Sequence, residues 1–163
     1  MTYYIGIDQS YTSTGLIGLD DNQHIIAQEV ISSLKCDGDY FTRAKVVSES
    51  VANKINQIDQ YTDHQIKVAC EGLAFSLRGH TLQNLAGLQF MIVNAIREEG
   101  FDVKILTPST VKKNATGSGK ATKQDMFDSL PENVQKMFET IPKSQGREDL
   151  TDAFWIANMI RTT

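Results

Sequence analysis

The sequence predicts a single α/β domain. Three observations carry that prediction: the order of the apolar patterns, the length of the chain, and the places where acidic residues close those patterns. Strand-like runs come first, three in succession, and are followed by helix, strand, helix, strand and then helices alone. At 163 residues the chain can bury a substantial core without disulfide or metal staples. No repeat, low-complexity tract or interdomain linker divides it, so residues 1–163 read as one domain.

The elements run in order along the chain. Tyr3 to Ile7, Thr14 to Leu19 and Ile25 to Ile31 read as strands, the last two joined by the turn Asp20-Asp21-Asn22-Gln23, which gives two hairpins. Between Phe41 and Tyr61, Ala44, Val47, Val51, Ile55 and Ile58 recur at helical spacing with Glu49, Lys54 and Gln57 elsewhere, as in a helix lying on a sheet. A strand from Ile66 to Glu71 comes next. The helical segment Thr81 to Glu99 places Leu82, Leu85, Leu88, Phe90, Met91, Val93 and Ile96 on more than one face. One sheet contact needs fewer, so part of this helix is expected to meet a second copy, with Gly87 permitting close approach. A strand at Val103 to Leu106, a turn around Pro108, and helices near Lys123 to Leu130 and Leu150 to Arg161 complete the domain.

Composition removes several function classes. The N-terminus lacks the basic, apolar and small-residue order of a signal peptide, and the longest apolar stretch, Leu88 to Ile96, is interrupted by Gln89 and Asn94. A soluble, cytoplasmic protein with no membrane contact is expected. Cys36 and Cys70 have no metal-type spacing with another Cys or His, which argues against zinc. The net charge of −4 does not suit a general nucleic-acid binder, but Val103 to Gln124 holds Lys104, Lys112, Lys113, Lys120 and Lys123 and no acid. Its centre, Asn114 to Lys120, reads as a flexible loop whose amides and lysines can meet phosphates, or more simply as a solvated loop.

The acids are the informative residues. Asp8 closes the run Tyr3-Tyr4-Ile5-Gly6-Ile7, Glu71 closes Ile66-Lys67-Val68-Ala69-Cys70, and Asp149 and Asp152 lie on one helical stripe with Ala153, Ile156, Ala157 and Ile160. That stripe buries itself, and unpaired carboxylates on it are costly. Each acid alone has a plain reading: Asp8 as a strand-end turn residue, Glu71 as a surface acid, and the aspartates as solvated first-turn acids favoured by the helix dipole. Together they are a set of hard oxygen ligands for a pair of Mg²⁺ ions, with Mn²⁺ expected to substitute, and the chemistry that suits such a set is phosphodiester hydrolysis. One ion would lower the pKa of a water and orient it in line with phosphorus, and the other would stabilise the leaving 3′ oxygen, leaving a 5′-phosphate. Ser10, Ser13 and Thr14 have no histidine beside them as a base, and His24, His64 and His80 stand apart as surface or turn residues.

These residues also carry a family resemblance. Ile5-Gly6-Ile7-Asp8 followed by Ser13-Thr14-Gly15, then Val68-Ala69-Cys70-Glu71, then Val111-Lys112-Lys113 with Gly117-Ser118-Gly119 and Lys123, and last Asp149-Leu150-Thr151-Asp152-Ala153 resemble, in order and at similar spacing, RuvC-type Holliday junction resolvases of the RNase H-like superfamily. The divergence suggests a phage-encoded member, acting in the cytoplasm of a bacterial host. The resemblance implies a mixed sheet flanked by helices, a homodimer, and paired nicks in four-way DNA and other branched DNA, with two Mg²⁺ per site. Asp8, Glu71, Asp149 and Asp152 would be the metal ligands and catalytic residues. Lys112 and Lys123 would lie near phosphates, with Lys113 competing for the first role and Lys120 joining the DNA contact. Phe75 is a displaced candidate for an aromatic that opens the junction, or a core residue beside Leu73 and Leu77. Two other readings remain: an actin-like ATPase fragment, because Asp8 to Gly15 also resembles a phosphate-binding hairpin, and a non-catalytic DNA-structure-binding module.

Overall fold

Side-chain parity along the strands decides which residues meet which helices. In the computed structural model, which describes residues 1–61, 63–74 and 77–163, β1 (Thr2–Asp8), β2 (Thr14–Leu19) and β3 (Ile25–Ile31) pair antiparallel in sequence order. On the other side of β1, β4 (Gln65–Glu71) and β5 (Val103–Leu106) add in parallel, giving the order β3-β2-β1-β4-β5. The sheet is mixed and flanked by helices, as expected. Its second turn closes through Asp20, whose carboxylate accepts the Asn22 and His24 amides, while Gln23 takes the left-handed φ of 67°.

The centre of one face of the sheet is apolar. Ile5, Ile7, Leu16, Val68 and Cys70 bury against α1 (Tyr40–Gln60) and α2 (Gly79–Glu98), which return Val47, Val51, Ile55, Leu88, Ile92 and Ile96. Asp39 caps α1 by accepting the Thr42 amide at 2.9 Å. The outer side of α2 is left open: Phe90 is 75% exposed and nothing lies near the Cβ that Gly87 lacks.

Alternation sends Tyr4, Gly6 and Asp8 of β1, and Ala69 and Glu71 of β4, to the opposite face. There α6 (Arg147–Thr162) crosses β1 and β2, with α3 (Pro108–Thr116), α4 (Lys123–Asp128) and α5 (Glu132–Glu139) around it. Two glycines set its height. A Cβ on Gly6 would fall 2.1 Å from the Ala153 carbonyl oxygen, and one on Gly15 would fall 2.3 Å from that of Asp149. The helix backbone therefore rests almost on the strands, and its first turns hang over the ends of β1 and β2.

Three expectations need correction. The first concerns α6, which buries not one stripe but all sides from Leu150 to Asn158, because α3, α4 and α5 roof it; the Trp155 indole even donates to the Met126 carbonyl at 2.9 Å. Next, residues 114–116 are helical rather than loop. Pro108 opens α3 at its first turn, and Gly117, at φ 83°, ends it by donating to the Lys113 carbonyl at 2.9 Å. The turn beyond Gly117 is held too, since Thr116 Oγ1 donates to the Lys112 carbonyl and accepts the Ser118 amide. Lastly, α5 has no counterpart among the expected elements; it is eight residues long and anchors only Val134 and Phe138. Among the described residues no helix is long and apolar enough to cross a membrane.

Candidate active site

Because β1 and β4 run parallel with Ile7 opposite Cys70, the next residue of each strand, Asp8 and Glu71, leaves the sheet side by side. α6 brings Asp152 over them. These three carboxylates line a cleft of about 260 Å³ together with Gln9, Lys112 and Lys123, rimmed by Leu73, Leu85 and Met126. Asp149, one helical turn earlier, sits beside the cleft. Its Oδ2 accepts a 2.6 Å hydrogen bond from Ser13 Oγ, and its charge reaches both Asp8 and Asp152.

The expectation that the α6 carboxylates are unpaired is therefore corrected. Lys123, at the first position of α4, forms an ion pair and hydrogen bond with Asp152, and Ser13 holds Asp149. Neither contact shows in the local sequence, because the partners lie 29 and 136 residues apart.

Burial, and after it mutual repulsion, raise the carboxylates of the cluster. Burial pushes the Asp8 carboxyl well above the usual range, and the charges of Asp152, Glu71 and Asp149 add to that against Lys123. Glu71 is pushed up to about 7, first by burial and then by Asp152, with Lys123 and Lys112 pulling the other way. Asp152 is raised by burial even though Lys123 opposes it. For Lys123, burial acts downward, yet Asp152, Asp8 and Glu71 outweigh it and the ammonium is held more firmly protonated. Buried hard-oxygen ligands that raise one another's pKa are a donor set suited to a divalent cation. Among the described residues no three such side chains converge closely enough to cage an ion; Lys123 is the cation Asp152 holds here.

From residue 4 to residue 159 the sequence matches the family described as crossover junction endodeoxyribonuclease RuvC. The chain belongs to the RuvC family. No curated protein matches its sequence. Among solved structures it is similar to Thermus thermophilus RuvC, with a TM-score of 0.69 and 20% identity over 95% of this chain and 90% of that one. It is also similar to T. thermophilus RuvC in complex with Holliday junction substrate, with a TM-score of 0.72 and 19% identity over 96% and 91% of the two chains.

On this RuvC fold the candidate lysines separate. Lys112 faces the cleft from α3 and Lys123 from α4, whereas Lys113 is exposed on α3. Lys120 borders a different hollow that also contains Asp125 and Asp128. Phe75 lies outside the described residues. His24 is a turn residue bonded to Asp20 at 3.1 Å. Cys70, whose thiol burial pushes up to about 12, lies on the opposite, α1–α2 face of the sheet. The sequence reading missed Ser13 as the partner of Asp149. It also missed Gln9 and Gln89, whose side-chain amides both donate to the Glu71 carbonyl, at 3.0 and 2.9 Å. A motif with Ser13 in it could have raised the first; nothing local points to Gln89.

Proposed function

We propose that this RuvC-family chain, as one endonuclease domain over residues 1–163, is a divalent-metal-dependent endonuclease that resolves four-way DNA junctions by paired nicks leaving 5′-phosphates. The observation that carries this reading is that Asp8, Glu71 and Asp152, from two strand ends and a helix, line one cleft together with Lys112 and Lys123. Asp8, Glu71, Asp149 and Asp152 would hold two Mg²⁺ ions, or Mn²⁺ in their place. When bound, the ions would supply an acidified water for in-line attack and charge to stabilise the leaving 3′ oxygen.

The protein's own groups do the rest. Lys123 engages only Oδ2 of Asp152, so Oδ1 would be open to a cation while the ammonium stands ready to neutralise a phosphate oxygen at the same site. Lys112 adds a second positive charge to the cleft from α3. Ser13 keeps the Asp149 carboxylate turned toward β2 through its 2.6 Å hydrogen bond. Lys113 and Lys120, outside the cleft, would meet flanking phosphates. Phe75 is proposed as a stacking residue at the branch point.

A two-fold homodimer would place one such site on each of two strands. Its support is the open face of α2, where Phe90 is 75% exposed and Leu82 37%. Action in the cytoplasm of a bacterial host, from a phage gene, belongs to the same proposed reading. The test is incubation of labelled four-way junction, flap, duplex and single strand with and without Mg²⁺. Symmetrical nicks in the junction that need the ion are expected. Binding without cleavage in any metal would leave only a junction-binding module.

A further inference from the structure

At the end of β4 the Glu71 carbonyl oxygen accepts two side-chain amides from different elements. Gln9, the residue after Asp8, donates Nε2 from the β1–β2 loop at 3.0 Å, and Gln89, in the middle of α2, donates Nε2 at 2.9 Å. The next residue is fixed as well, since the Gly72 amide donates to the Leu106 carbonyl of β5 at 2.7 Å. Holding the carbonyl and the following amide leaves the Glu71 main chain little freedom, so its carboxylate points into the cleft from a fixed base.

Gln9 carries a second signal. With Nε2 committed to Glu71, its Oε1 is buried with no hydrogen-bond partner among the described residues. Turning the amide over would only set Oε1 against the Glu71 oxygen, so the carbonyl itself decides the orientation. A buried acceptor left open is costly, and it persists where a ligand group completes it. Gln9 lines the same cleft as Asp8 and Glu71. The donor that suits such a position is a water polarised by a cation at those carboxylates.

We propose that Gln9 and Gln89 are positioning residues that act through Glu71: they lock its main chain between the Asp8 loop and α2, and Gln9 Oε1 accepts a hydrogen bond from water on the ion held there. This deepens the metal-dependent reading above and rests on it. Gln89 has a further consequence. It ties the site to α2, the helix with the open outer face, so a displacement of α2 is felt at Glu71.

The test uses the whole chain with Gln9→Met, Gln89→Met and the double variant, which keep side-chain length and remove the amide. Alanine at the same positions serves where Met does not fold, judged by melting temperature. Two quantities are read: Mn²⁺ affinity by calorimetric titration of the DNA-free protein, and kcat on saturating four-way junction set against junction affinity in EDTA. Each single variant is expected to lose about 10-fold to 100-fold in Mn²⁺ affinity, with a parallel loss in kcat and an unchanged affinity for junction. Because both amides grip one oxygen, the double variant is expected to lose less than the two single losses combined. Parental Mn²⁺ affinity in both folded single variants, with a parent that binds Mn²⁺ and cuts, overturns the clamp alone. A parent that binds Mn²⁺ without cutting defeats the nuclease reading and leaves the clamp to be decided by the variants' affinities. A parent that takes up no divalent ion overturns both.

Discussion

The two faces of the sheet are built from alternate residues of the same strands and do opposite work. On the α1–α2 face β1 and β4 present Ile5, Ile7, Val68 and Cys70, large or close-packed side chains that fill the space to the helices. On the α6 face the same strands present Gly6 and Ala69, and then Asp8 and Glu71. Small residues bring the α6 backbone down onto the sheet, and that descent is what puts Asp152 within reach of the strand ends. Both sides are packed, but large strand residues hold α1 and α2 off the sheet, whereas Gly6 and Gly15 let the α6 backbone down beside the candidate site. The difference shows that a strand's parity, rather than its overall hydrophobicity, decides which helical layer its last residue faces.

The comparison breaks most visibly if the acids are removed. Asp8→Asn and Glu71→Gln are each expected to slow junction cleavage by on the order of 10³-fold, about 4 kcal/mol of barrier, while the metal-free proteins melt no lower than the parent. Single-turnover cleavage and thermal melting measure both. A parental cleavage rate in either variant would take the carboxylates out of the mechanism.

Next come paired substitutions on the two faces. Gly15→Ala puts a methyl group into the Asp149 carbonyl and must lift α6, at a cost of about 1–3 kcal/mol and with cleavage reduced beyond what stability explains. Ile7→Val on the other face is expected to cost about 0.5–1.5 kcal/mol and to leave the cleavage rate per folded molecule unchanged. Equal effects on cleavage would erase the distinction between the faces.

The lysines sharpen it further. Lys112→Ala should lower kcat, because that ammonium shares the cleft, whereas Lys113→Ala and Lys120→Ala should alter only DNA affinity, each flattening the log–log salt slope by about one unit where the contact is engaged. Filter binding over a salt series, run beside kcat, separates the two classes.

The smallest effect is on pH and stability. Folding raises the Glu71 pKa from 4.5 to about 7, so the folded state favours its neutral form. That contribution is complete below the unfolded value and is lost as pH rises through the folded one. Metal-free protein should therefore lose melting temperature between about pH 4.5 and 7, Glu71→Gln should lose less, and added Mn²⁺ should restore the parent near neutrality.

Much of this organisation was legible because it is local. Asp8 and Glu71 each end an apolar run, and Asp149 and Asp152 share a helical spacing, so sequence alone could single them out. The five strands carried clear period-2 or apolar signals. Residues 108–116 did not read as a helix because the segment buries a single residue, Val111, and depends on Pro108 and Gly117 for its ends. The partners that tune the acids were beyond local reading: Lys123 on Asp152, Ser13 on Asp149 and Gln89 on Glu71 meet only once the sheet and both helical layers are in place. Sequence pattern finds the candidate acids more readily than the groups that hold them.

The most direct measurement of the central claim is the rate of four-way junction cleavage by the parent and by Asp152→Asn, each titrated with Mg²⁺ from zero. If the α6 face holds the reactive centre, the parent cuts only as the ion is added, with symmetrical nicks bearing 5′-phosphates, and Asp152→Asn stays inactive while still binding the junction. Cleavage by the parent in EDTA, or an Asp152→Asn titration curve that overlays the parent's, would contradict it.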